Sequence, residues 1–110
     1  VGSPVDLNWG PNSIDGLMPP SAVIGLYAYI SGNKIFVTWR ANKEDDLNGY
    51  NVFVNDNYAA TLPRKATKIV IDKSRFYLPK GKPIKISIEA FDITGDFSKE
   101  RTEYILDNNG

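Results

Sequence analysis

Ile84, Ile86, Ile88 and Ala90 alternate with Lys85, Ser87 and Glu89, and Pro83 and the Asp92–Asp96 stretch with its Gly95 close off the run at either end. A period of two puts every second side chain on one face, the mark of a strand with one side buried. The same period recurs along the chain. Ile24, Leu26 and Ala28 alternate with Gly25, Tyr27 and Tyr29, and Ile35, Val37 and Trp39 with Phe36, Thr38 and Arg40. Tyr50, Val52 and Val54 oppose Asn51 and Phe53; shorter runs follow at Tyr58–Leu62, around Ile69 and Ile71, and at Lys99–Leu106. Turn-forming residues separate them: the SGN at 31–33, the charged stretch 41–48, Asn55-Asp56-Asn57, the PRKAT at 63–67 and Pro79-Lys80-Gly81-Lys82-Pro83. Asn48-Gly49 is expected to turn the backbone tightly into the third strand. No stretch of ten or more residues has helical period. The pattern predicts an all-β domain, a seven-stranded antiparallel β-sandwich, with a β-barrel as the alternative that patterning leaves open.

A chain of 110 residues is one domain, or one domain with a tail, and is long enough for a single core. With no cysteine there is neither a disulfide nor a thiolate metal site. With no histidine, the usual neutral-pH general base and the commonest metal ligand are missing. The charges balance at 13 basic and 13 acidic residues, without the basic excess of a nucleic-acid binder. No apolar run approaches the ~18 residues of a membrane helix. Residues 1–18, rich in Gly, Pro, Ser, Asn and Asp and without period, read as a linker or the tail of a preceding domain. Residues 1–20 lack the charged start and apolar middle of a signal peptide. Trp9 stands out in the linker; it either folds back on the domain or packs on a neighbour. The domain is expected over 19–106, with 107–110 as a frayed end.

Several pieces in register carry a more specific likeness. Pro19-Pro20 precedes Leu26 on the first strand, and Trp39 ends the second in Ile-Phe-Val-Thr-Trp. Asp46 to Val54 makes the third strand and its approach. Leu78 lies six residues before the Ile84–Ala90 run, and Ala90-Phe91-Asp92-Ile93-Thr94-Gly95-Asp96-Phe97-Ser98 has the form of a sixth-to-seventh strand loop. From Pro19 to about Leu106, roughly four-fifths of the sequence, the chain resembles a fibronectin type III domain of the bacterial and phage kind. A tryptophan on the second strand separates it from antibody-type domains, where the buried tryptophan is on the third beside a disulfide. The resemblance implies an immunoglobulin-like sandwich of fibronectin type III topology. In one departure, Ile84 occupies a position that is usually tyrosine. The burial is kept, and a hydroxyl bond that ties down the corner loop, worth about 0.5–1.5 kcal/mol net, is lost. The fixed φ of Pro83 partly compensates. The core expected from parity and resemblance is Leu26, Ile35, Val37, Trp39, Tyr50, Val52, Ile69, Ile71, Leu78, Ile84, Ile86, Ile88 and Ala90.

Candidate sites are few. Glu44, Asp45 and Asp46 share one end of the expected sandwich with Asp92 and Asp96. Calcium needs six to eight well-set oxygens, and no such spacing is present, so these read as solvated loop carboxylates. Acid–base work by Asp92 and Asp96 would need a cleft and a shifted pKa, and Ser74, Ser87 and Ser98 have no histidine to activate them. Neither Arg-Gly-Asp nor an Asn-x-Ser/Thr acceptor occurs. No catalytic, metal or cofactor site is expected.

Two surface features remain. Residues 64–85 hold eight basic groups (Arg64, Lys65, Lys68, Lys73, Arg75, Lys80, Lys82 and Lys85) against one acid, Asp72. Lys73, Arg75, Lys80 and Lys82 are expected to form a basic end where the chain leaves the fold. Asp45, Asp46, Asp92 and Asp96 lie where it comes in. Tandem neighbours would then meet opposite signs, or a polyanion would meet the basic segment; the plainer reading is a mixed surface, with Arg64 and Lys65 screening the acids. Parity also places Tyr27, Tyr29, Phe36 and Val70 outward on neighbouring strands. They either stabilise the sheet as cross-strand pairs or form a docking patch, with sugar stacking as a variant.

The expectation is a non-catalytic spacer or interaction module, extracellular, on a cell surface or on a virion surface. It would position neighbouring domains of its polypeptide or assembly, without nucleic-acid binding or membrane insertion. The alternative is a glycan- or protein-binding module on the aromatic face. Bacterial members of the family commonly sit beside polysaccharide-degrading or adhesive domains, and phage members in tails and capsid surfaces.

Overall fold

The computed structural model describes residues 19–108; the 1–18 linker expectation, Trp9 and residues 109–110 lie outside that range. Seven strands run in chain order: β1 Tyr27–Ser31, β2 Lys34–Thr38, β3 Leu47–Val54, β4 Asn57–Pro63, β5 Lys68–Asp72, β6 Ile84–Asp92 and β7 Thr102–Leu106. They form two sheets, β1-β2-β5 and β4-β3-β6-β7, with every pairing antiparallel. This is the expected sandwich, and the barrel is excluded because the sheets do not join. Adjacent strands are linked by what their turns permit. Val54 pairs with Asn57 across a two-residue turn in which Asn55 and Asp56 hold φ of 49 and 67, the left-handed values that favour Asn, Asp and Gly in hairpins. Asn55 also bonds Lys85 through its backbone N–H and its side-chain oxygen, each at 2.8 Å.

Between the sheets lie Ile35, Val37, Trp39, Tyr50, Val52, Ile71, Ile84, Ile86, Ile88 and Ala90, all buried as expected. Trp39 packs on Tyr50 with ring centroids 5.5 Å apart. Leu26, Ile69 and Leu78 are only partly buried at the margin. Val23, Ala28, Leu47, Val54, Ala59 and Leu106 complete the core. Alternation was expected to bury Ile24, but Ile24 is exposed and Val23 buried. Gly25, at φ 74, shifts the in/out order by one residue.

The role expected of Gly49 is likewise different. It lies inside β3 without a left-handed φ. A Cβ there would fall 2.4 Å from the Leu62 carbonyl oxygen and 3.0 Å from Cζ of Phe91, so glycine is required by close approach, not by turning. Within the segment expected to fray, Asn108 is buried. Its amide donates to the carbonyls of Leu78 and Pro79 at 3.2 and 3.0 Å, and its own carbonyl accepts from Gly81 N–H at 2.7 Å.

The antiparallel order sorts the loops into two poles. Residues 19–26 and the loops 39–46, 64–67 and 93–101 make the N-terminal pole. The turns after β1 and β3, the 73–83 loop and residues 107–108 make the C-terminal pole. Lys73–Arg75 in that loop form a single 3-10 turn capped by Asp72, whose side chain accepts from Ser74 N–H.

Candidate functional site

On the outer face of the three-stranded sheet, strand register sets Tyr29 opposite Phe36 and Phe36 opposite Val70. The rings of Tyr29 and Phe36 stack nearly parallel, 5.0 Å apart at 8°. Tyr27 leans on Tyr29 at 5.9 Å and meets Tyr104 of β7 edge-on at 5.5 Å. The result is one aromatic row that wraps from the sheet face around the β1–β7 side of the sandwich. All four sequence candidates of this patch are thus brought together, with Tyr104 added. Coplanar neighbours would sit further apart than 5.0 Å; at this separation the rings turn their faces to one another and much of that surface is used within the fold. Even so, Tyr27, Tyr29 and Val70 remain 50, 43 and 52% exposed. Lys34, on the same face, pairs with Asp72 at 3.4 Å.

The basic candidates share the C-terminal pole but are not equivalent. Lys73 donates to Asn108 Oδ1 at 3.4 Å. Arg75 donates to the Ala59 carbonyl at 2.8 Å and lies over the Phe76 ring. Lys80 and Lys82 are exposed, and among the described residues neither makes a side-chain bond. Lys85 is tied to Asp56 at 3.0 Å and Glu103 at 3.5 Å. Arg64 and Lys65 fall at the N-terminal pole with Glu44, Asp45 and Asp46, so the charge separation along the molecule is weaker than along the sequence.

The N-terminal pole is organised around two carboxylates. Asp92 is 1% exposed and closes the loop after β6: its Oδ1 accepts from Thr94 N–H, Thr94 Oγ1 and Asp96 N–H at 3.0, 2.7 and 2.9 Å. The Thr94 hydroxyl bond outweighs burial and holds this carboxyl below its ordinary value. Burial pushes the Glu44 carboxyl up, and bonds from Ser21 and Asn42 more than offset it, leaving it lowered. Beside it, the Tyr50 phenol, raised by burial, accepts from Asn42 N–H at 2.6 Å. Among the described residues no group of three or more carboxylates converges as a metal site would require. No helix among them is long and apolar enough to cross a membrane.

The outer face of the four-stranded sheet is a site that parity did not suggest. Phe53 points outward yet is buried, because Arg101 lies 3.6 Å over its ring and Tyr58 meets it edge-on. Glu89 holds Arg101 at 3.2 Å and accepts from Asn51 at 3.0 Å. The pairing joins residues far apart in sequence, and the alternation of β3 carries no trace of it.

The chain is similar to a spore cortex lytic enzyme of Clostridium perfringens, SleM, at 94% identity and a TM-score of 0.88. The match covers 97% of this chain and 34% of that one, so the chain spans about a third of the SleM chain's length. It is also similar in structure to the central fibronectin-III array of RIM-binding protein, at 18% identity over 80% of this chain and 32% of that one, TM-score 0.64. The chicken CNTN1 FN1–FN3 domains match at 13% identity over 81% of this chain and 33% of that one, TM-score 0.61. No protein-family model matches the chain, and no curated protein sequence does. The chain has the fibronectin type III fold.

Proposed function

We propose that the chain is a non-catalytic module of a larger extracellular polypeptide, one that positions a neighbouring domain acting on spore-cortex or cell-wall glycan. The carrying observation is the 94% identity to about a third of a spore cortex lytic enzyme. It associates the module with that chemistry while leaving most of that chain to supply it. The geometry supports the reading: the centre of the sandwich is filled by apolar side chains, and the best-placed carboxylate, Asp92, is committed to closing a loop. The test uses three samples. The 110-residue chain is incubated with purified cortex fragments, and the lytic enzyme is assayed on the same fragments with and without its corresponding third. The chain alone is expected to release no reducing ends. Removing the module is expected to lower the enzyme's rate on insoluble fragments. Turnover by the isolated chain overturns the reading.

A second reading is supported by the half-exposed tyrosines. The row Tyr27, Tyr29 and Phe36, with Val70 at its end, offers apolar surface to a glycan strand. The mutual stacking of the rings ranks it below the positioning role.

A further inference from the structure

The N-terminal pole carries features that the fold itself does not use. An open cleft of about 580 Å³ is lined by Ser21, Ile24, Arg40, Asn42, Lys43 and Glu44. A second, of about 420 Å³, is walled by Glu44, Asp45, Asp46 and Ile93. They share Glu44 and so lie side by side on the rim of this pole. Three large apolar side chains stand out at this pole, Ile24 at 58%, Ile93 at 69% and Phe97 at 51% exposed. Among the described residues, Glu44 Oε1, on the shared lining of both clefts, is an enclosed side-chain oxygen without a hydrogen-bond partner.

We infer that this rim is the docking face for the preceding domain of the same polypeptide, which inserts a cationic side chain flanked by apolar groups between Asp45, Asp46 and Ile93. The inference rests on the positioning role and specifies its surface. Two observations select this occupant. Pro19, where the described fold begins, lies at this pole, so a domain tethered through residues 1–18 is held near it; the related lytic-enzyme chain, about three times as long as the stretch matched here, has the mass for a neighbour without fixing its side. The second cleft combines three carboxylates with one isoleucine, a complement to a lysine or arginine with an apolar stem. A short tether supplies an effective concentration on the order of millimolar, so a patch with a Kd of ~0.1 mM would be about nine-tenths occupied and slow local hydrogen exchange about tenfold.

The experiment compares hydrogen exchange in the full polypeptide that carries this chain with exchange in the 110-residue chain, each as wild type and as Ile93→Asp. Ile93 is exposed, so the variant retains the fold, checked by an unchanged denaturation midpoint of the 110-residue chain. Amides of 42–46 and 93–97 are expected to exchange about tenfold more slowly in the full polypeptide, with the difference lost in Ile93→Asp. Equal exchange in both wild-type samples overturns the inference. So does protection already present in the 110-residue chain and removed by deleting residues 1–18, which would make the leading segment the occupant. Protection appearing at 73–83 instead overturns this surface while the positioning role stands. If no surface is protected and removing the module leaves the enzyme's rate unchanged, both fail together.

Discussion

Gly49 shows how much one residue can decide. Its Cα is hemmed by the Leu62 carbonyl on β4 and by the Phe91 ring from β6. A methyl group at 2.4 Å from a backbone oxygen cannot be absorbed by a side-chain rotation; β4 itself must move. Gly49→Ala is therefore expected to destabilise the domain by about 1–3 kcal/mol, the usual range for overpacking. The readout is a lower denaturation midpoint with an unchanged m-value. A midpoint equal to wild type would mean that β4 yields freely there. The glycine was visible in the sequence, but its reason was not: a turn explains Asn-Gly locally, whereas close approach requires knowing that β4 and Phe91 converge on it. Val23 and Ile24 exchange places for a comparable reason, because the φ of Gly25 is a backbone fact that side-chain alternation does not encode.

Among the elements, strands were legible and the ties between them were not. Each strand declares its buried face through residues two apart, and the Asn55-Asp56 hairpin through residues that accept a left-handed φ. The corner before β6 needed a partner from elsewhere. Where relatives of this fold use a tyrosine, Ile84 is fully buried and pairs with Leu106, and the loop is held from the chain's far end by Asn108. Its amide bonds to the Leu78 and Pro79 carbonyls, with Lys73 on its oxygen, tie the 73–83 loop to residue 108. Asn108→Ala leaves two carbonyls short of a donor in a part-buried setting. It is expected to cost about 1–3 kcal/mol and to speed hydrogen exchange across 79–83 ahead of the sheets. Asn108→Asp keeps the size and loses the donor, so it should resemble the alanine variant; wild-type behaviour in both would remove Asn108 from this role. The Arg101–Phe53 contact was hidden in the same way, since a loop arginine and a strand phenylalanine meet only once β3, β6 and β7 are in register.

Across the whole molecule, three surfaces compete for the outside world, and they differ in how much of their chemistry is already spent. The C-terminal pole has two of its four candidate cations, Lys73 and Arg75, bonded within the fold. The N-terminal rim has open apolar surface beside the carboxylates of Glu44, Asp45 and Asp46. The aromatic row lies between: its ring faces are turned inward on one another while its tyrosines stay half exposed. If stacking is what the row is for, Tyr29 and Phe36 should be energetically coupled. A double-mutant cycle of Tyr29→Ala and Phe36→Ala, read by denaturation of the 110-residue chain, is expected to give about 0.5–1.5 kcal/mol of coupling, because each single variant already loses the shared contact. The same proteins settle the glycan reading when sedimented with insoluble cortex fragments. Co-sedimentation of the wild type that vanishes in the double variant, with the fold retained, assigns the row a ligand. Coupling without any co-sedimentation leaves it as the outer seam of the sheet, its rings spent on one another rather than on a ligand.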